Sequence, residues 1–183
     1  MYARPSLITR GFAAATLAAL AVTSTPALAG SMDKAFFEQV SGSWKGPGEI
    51  VAGKYKGTKF TCDLNGEPQM APVVGIKLDG FCRVGVFKQP MSALITQKGD
   101  SYTGTFLDGS DGKGLDIVSG KVATDKMVIG LTRKKLNGAM IARMQDDKTM
   151  NVTISVKVED TMVPVIGVSL NRQVDSIAVG SIK

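Results

Sequence analysis

Cys62 and Cys82 are the side chains best suited to covalent chemistry in this chain of 183 residues. Their separation is far from Cys-x-x-Cys, and the sequence has no histidine to share a metal with them. Lack of histidine removes most catalytic triads, most zinc sites and any His-ligated haem. In an oxidising compartment an even cysteine count favours a disulfide over a reactive or metal-binding thiol pair. If Leu64 and Gly80 flank a hairpin-like connection, Cys62 and Cys82 stand opposite each other on neighbouring strands. Closing a loop of about 20 residues would contribute roughly 3 kcal/mol in the chain-entropy view.

The other candidates for chemistry are weaker. Asp108-Gly109-Ser110-Asp111-Gly112-Lys113-Gly114 has calcium-loop composition. It lacks EF-hand spacing, the closing glutamate and the Gly-Lys-Ser/Thr ending of a phosphate loop, so it reads as a hairpin loop. Arg133-Lys134-Lys135 is a compact basic cluster that fits a solvated hairpin tip. Met127, Met140, Met144, Met150 and Met162 offer thioethers for Cu(I). Clustered methionine motifs are missing, and Met140 and Met144 share a strand face with Ala142, so core packing explains them. Asp63, Glu67 and Asp79 lie near expected turns, where carboxylates are solvated. Acid–base work by Glu, Lys or Tyr needs a pairing that the sequence does not display. We therefore expect no enzyme, metal site or cofactor.

The first segment is an address. Arg4 and Arg10 give a positive start, residues 11–22 form an apolar alanine-rich run, and Ala27-Leu28-Ala29 offers small residues for cleavage. Residues 1–29 thus read as a secretory signal peptide. The rival is an uncleaved anchor, but the run is short for a span of about 20 residues. The overall charge is +6, and loss of the two arginines leaves 20 basic against 16 acidic residues. That mild, dispersed excess argues against a nucleic-acid partner. No second apolar run is long enough to cross a bilayer. The style of the signal suits a bacterium, which places the mature chain in the periplasm or the medium.

Residues 30–183 read as one domain. Asp33 is a candidate cap for a short helix presenting Phe36, Phe37 and Val40 on one face and ending at Gly42. Everything afterwards reads as β. From Thr149 to Glu159, apolar and polar residues alternate strictly, the period of a strand with one dry face. Residues 101–107 behave alike. Further strands are expected at 44–51, 55–64, 74–87, 92–98, 115–123, 126–132, 139–144 and 163–170. Asn137-Gly138 is a two-residue hairpin signal. Lys98-Gly99-Asp100, Thr124-Asp125 and Asp146-Asp147 mark other turns. The fold class is all-β: an antiparallel up-and-down barrel of about 8–10 strands with a short N-terminal helix, the alternative being a β-sandwich. Mid-strand glycines such as Gly46, Gly48, Gly104, Gly120 and Gly130 suit sharp bends or close backbone approach.

Gly42-Ser43-Trp44-Lys45-Gly46-Pro47-Gly48 opens the first strand. A Gly-x-Trp at this place resembles the lipocalin and wider calycin barrels, and the longer Gly-x-Trp-x-Gly-x-Gly resembles nitrobindin-type barrels. The resemblance implies that Trp44 plugs the closed end, with Arg143 or Arg172 packing on it. It also implies a departure. Nitrobindin-like proteins hold haem through a histidine, which is missing here, as is the second lipocalin motif with its Asp-Tyr pair. The order Trp44, Cys62, Cys82 also resembles small periplasmic inhibitors of secreted metalloproteases. That likeness implies an N-terminal segment, about residues 30–34, able to enter a protease cleft.

These readings converge on a non-catalytic binding protein for a small apolar or amphipathic ligand. Tyr102, Gly104, Phe106, Ile129, Leu131, Met140, Met144, Val152, Ile154 and Val156 are expected to line the interior. The bland alternative is a filled core. The functional alternative is a module for an envelope protein or a protease, working through loops and the N-terminal segment.

Overall fold

The computed structural model describes residues 27–107 and 114–173. Most of the predicted signal segment and of the loop from Asp108 lie outside the described residues. A helix, α1 (Ala27–Gln39), precedes ten strands: β1 (Gly42–Ile50), β2 (Lys59–Gln69), β3 (Gly75–Val84), β4 (Phe87–Lys98), β5 (Ser101–Leu107), β6 (Leu115–Val122), β7 (Lys126–Arg133), β8 (Leu136–Met144), β9 (Thr149–Val158) and β10 (Thr161–Arg172). Each strand pairs antiparallel with its sequence neighbours, and β1 also pairs with β10, which closes the barrel. Closure leaves the sheet without an edge strand. The sandwich alternative is thereby excluded.

Alternation builds the wall. Along β7, Met127, Ile129 and Leu131 point inward and are buried, while the residues between them are half-buried. Their partners across β8 are Ala142, Met140 and Gly138. The β7–β8 turn departs from the sequence expectation. It is Lys134-Lys135, with Lys134 at φ 53°, and Asn137-Gly138 lies inside β8. A turn at Asn137-Gly138 would have set Ile129 opposite Asp146. The observed register keeps an apolar residue opposite each inward position, and that outweighs the local preference of Asn-Gly for a turn. The stretch expected as one strand over 74–87 is split by a two-residue turn at Gly85-Val86. Residues 55–57 belong to a turn, and β2 starts only at Lys59.

Glycines serve close approach where expected. At Gly48 a β-carbon would meet the ring of Phe60, which lies across it. Gly104, at φ 151°, leaves room for the carbonyl of Leu94 on the neighbouring strand.

Cys62 and Cys82 are register partners on β2 and β3, as are Leu64 and Gly80. They form a disulfide across the pair, with Cα atoms 4.0 Å apart and 20 positions between them in sequence. Cys62→Ser should lower stability by roughly 3 kcal/mol through the larger unfolded ensemble. The check is chemical denaturation with and without reductant. The wild type should lose stability on reduction, and the mutant should be indifferent to it.

One end of the barrel is closed by α1, which contacts β2, β3 and β6. Its residues Phe36 and Phe37 and the adjoining Val40 are buried, with the two phenyl rings edge to face at 5.8 Å. The helix stops where the backbone N–H of Val40 and Ser41 bond back to Phe36 and Glu38 and Gly42 turns at φ 92°. The helix begins at Ala27, so Asp33 is inside it rather than at its cap. The predicted inhibitor segment, residues 30–34, lies in the same helix.

Trp44 forms the floor beside α1. It is 1% exposed, and its indole N–H donates to the Val40 carbonyl at 3.0 Å. Arg172, its register partner on β10, lies over the ring at 4.3 Å. The same guanidinium donates to the carbonyls of Ser41 (2.6 Å), Asp147 (2.9 Å) and Gln39. Of the two arginines considered for packing on the tryptophan, Arg172 is therefore the partner. Arg143 instead stands 3.7 Å from Asp125 on the surface.

Candidate functional site

Ten strands make a wider barrel than eight, at which side chains just fill the interior. The extra width appears as a cavity of about 810 Å³. Its floor is Phe36, Phe37, Val40, Trp44 and Leu170. Its upper wall includes Val84, Phe87 and Leu136, which are also solvent-exposed, so the chamber opens at the end opposite α1. The interior is therefore hollow rather than filled.

Of the residues expected to line it, Phe106, Leu131, Met140, Val152, Ile154 and Val156 do so. Val152, Ile154 and Val156 are half-buried and face this space. Four expectations need correction, and the first is Gly104, half-buried on β5, which does not line the cavity. Tyr102, Ile129 and Met144 point inward and are buried, yet they lie in packed structure and do not line the cavity. The ring of Tyr102 stands edge-on to Phe37 at 5.7 Å, and Tyr102 and Ile129 both crowd against Gly120. Alternation had missed the other wall, where Phe60, Leu64, Leu78, Met91 and the Cys62–Cys82 disulfide face inward. Gly48 opposite Phe60 was the available signal for that wall.

The lining is mostly aliphatic, aromatic and methionine. Its polar members are Lys88, Gln89, Ser92, Arg133 and Ser155. Gln89 and Arg133 stand near the strand ends at the mouth, opposite Cys82 and Leu136 in register. Among the described residues, the lining contains no carboxylate. Asp63 and Asp79 face outward within β2 and β3 rather than in turns. Asp63 is 4.0 Å from Lys45, and Asp79 is 2.7 Å from Lys77. Glu67, also within β2, accepts from Asn65. Met127, Met140, Met144 and Met150 are buried, and Met162 is exposed. No group of three metal-ligating side chains comes together among the described residues.

The floor carries a polar tie from helix to barrel. The Tyr102 hydroxyl donates to the Asp33 carboxylate at 2.6 Å. Burial raises the phenol's pKa well above its ordinary value, and the hydrogen bond to Asp33 adds to this. A raised pKa means that the folded state holds this proton more tightly. The contribution to stability is thus complete below the ordinary phenol value near 10 and is lost as pH climbs above it. Tyr102→Phe should cost about 1–3 kcal/mol at neutral pH by leaving the carboxylate without its donor. It should also flatten the alkaline fall in stability, which can be read by denaturant titrations between pH 8 and about 11.

A second hollow of about 490 Å³ lies beside α1, bounded by Glu38, Gln39, Asp147, Lys148 and Arg172. Its arginine is engaged with the three carbonyls above, so this hollow belongs to the closure of the floor.

Fold and cavity together define a closed, ten-stranded antiparallel β-barrel with one plugged end and an apolar chamber open at the other. The chain is similar to the crystal structure of Rv2717c from M. tuberculosis, with a TM-score of 0.56 and 14% identity over 78% of this chain and 98% of that one. At that identity the likeness establishes a shared fold. No protein-family profile and no curated protein matches the sequence.

Proposed function

We propose that this protein is a calycin-like, non-catalytic carrier that takes one small apolar or amphipathic molecule into its barrel. The observation that carries this reading is the cavity: about 810 Å³, mostly apolar, and within the ordinary range for small-molecule sites. An apolar portion would lie against Phe106, Leu131, Met140 and Ile154, and a polar end would point toward Gln89 and Arg133 at the mouth. Methionines in the wall let it adapt to more than one shape. The calycin assignment is supported by the Gly-x-Trp opening and by Arg172 stacked on Trp44 over the plugged end. Action in the periplasm or medium is supported by the signal-like residues 1–29 and the disulfide. Among the described residues no helix is long and apolar enough to cross a membrane.

The test is a fluorescence titration with 1-anilinonaphthalene-8-sulfonate, an amphipathic dye that brightens in apolar surroundings. The carrier reading expects saturable binding of one dye per chain and displacement by a long-chain amphiphile. Absence of saturable binding would remove the carrier function and leave a structural or protein-binding role.

A further inference from the structure

Exposed apolar side chains are concentrated at one end of the barrel. At the mouth, the β3–β4 hairpin exposes Val86 and Phe87, 90% and 79% accessible, between Arg83 and Lys88. The β7–β8 hairpin tip is Lys134-Lys135, followed by exposed Leu136. The loop joining β1 to β2 holds Tyr55, 64% exposed, between Lys54 and Lys56. The acidic residues of the β9–β10 turn, Glu159 and Asp160, are offset in part by Lys157, 3.6 Å from Asp160. At the closed end the turns carry Asp100, Asp125, Asp146 and Asp147 beside Lys98, Lys126 and Lys148, so charge there is mixed. Among the described residues, exposed apolar tips flanked by cations thus gather at the mouth.

An exposed valine in a two-residue turn, followed at once by an exposed phenylalanine at the rim, adds little to the core and would be a liability in water alone. Flanked by lysine and arginine, they match a surface with negative headgroups above hydrocarbon. We propose that the mouth of the barrel docks on anionic phospholipid bilayers. Val86 and Phe87 enter the interface, and Arg83, Lys88, Lys134 and Lys135 face the lipid phosphates. This goes beyond the carrier reading and stands on the rim alone, whatever the chamber holds. Taken together, the two would point the opening of the chamber at the membrane, so cargo could pass without crossing water.

The experiment is flotation of the protein with vesicles of phosphatidylcholine, with and without phosphatidylglycerol. Binding should require phosphatidylglycerol and weaken as salt rises. The double variant Val86→Asp/Phe87→Asp should lower the bound fraction about tenfold, and Arg83→Glu/Lys88→Glu should do likewise. Unchanged Trp44 emission verifies that each variant is folded, since that indole sits at the far end. In Phe87→Trp the new indole should shift to the blue on adding phosphatidylglycerol vesicles. Equal binding to both vesicle types, no binding, or variants that bind like the wild type would overturn the proposal. Self-association that Phe87→Asp abolishes would also overturn it, assigning the rim to a second copy of the chain. Absence of saturable dye binding by the wild type, with vesicle binding intact, would refute the carrier reading and leave this one standing.

Discussion

Trp44→Ala should cost about 3–5 kcal/mol, as removal of a fully buried aromatic side chain generally does. At this chain length that corresponds to a fall in Tm of roughly 10 °C. The effect is large because one indole supports three elements. It fills the floor, its N–H holds the end of α1 through Val40, and its face supports Arg172. Arg172 in turn bonds to the carbonyls of Gln39, Ser41 and Asp147, tying the end of the helix, its link to β1 and the β8–β9 turn to the last strand. Trp44 and Arg172 also form a register pair on the β1–β10 seam, where the barrel closes. Trp44→Phe should lose less, because the ring stays and only the N–H bond is given up. Thermal unfolding monitored by circular dichroism checks both variants. An alanine mutant within error of wild type would remove the assignment of Trp44 as the plug.

Narrowing the chamber should weaken binding without unfolding the protein. Ala142 points inward from β8, opposite Met127 and Val152, and its methyl group faces the cavity. A phenyl ring there has open space to enter, so Ala142→Phe removes volume from the ligand rather than from packed neighbours. Overpacking is costly only where the core is already full. We expect dye affinity to fall at least about tenfold, about 1.4 kcal/mol, with stability unchanged or slightly raised. The same substitution in a filled barrel would force side chains apart and cost stability. Affinity and stability measured on the one variant therefore separate a hollow interior from a packed one. Ile129→Ala is the converse: Ile129 is fully buried away from the cavity, and its loss should cost about 2–5 kcal/mol with little direct effect on binding.

Much of the architecture was legible because a closed sheet imposes one rule on every strand. Residues 101–107 and the run from Thr149 follow that rule, and β5 and β9 form there. The cysteine pairing was legible from the spacing around Leu64 and Gly80, since register fixes which residues oppose each other. Depth along the barrel axis was not legible. Period-two alternation tells that Tyr102, Ile129 and Met144 point inward, and it is silent on whether they meet the packed floor or the open chamber. Turn position was legible only where no competing register existed. Asn137-Gly138 has the stronger turn chemistry, but Lys134-Lys135 keeps Met140 opposite Ile129. Asp33 looked like a cap because sequence shows local helix signals, whereas its partner Tyr102 lies 69 positions away. The arginine on Trp44 was likewise open between two candidates until the β1–β10 seam set Arg172 beside it.

Native mass spectrometry of the protein purified from its own cells bears most directly on whether the barrel is loaded. A carrier predicts a population heavier than the chain by a single small molecule, lost on gentle activation and lost from Ala142→Phe. Empty chains throughout, together with failure to take up an added long-chain amphiphile, would contradict that account.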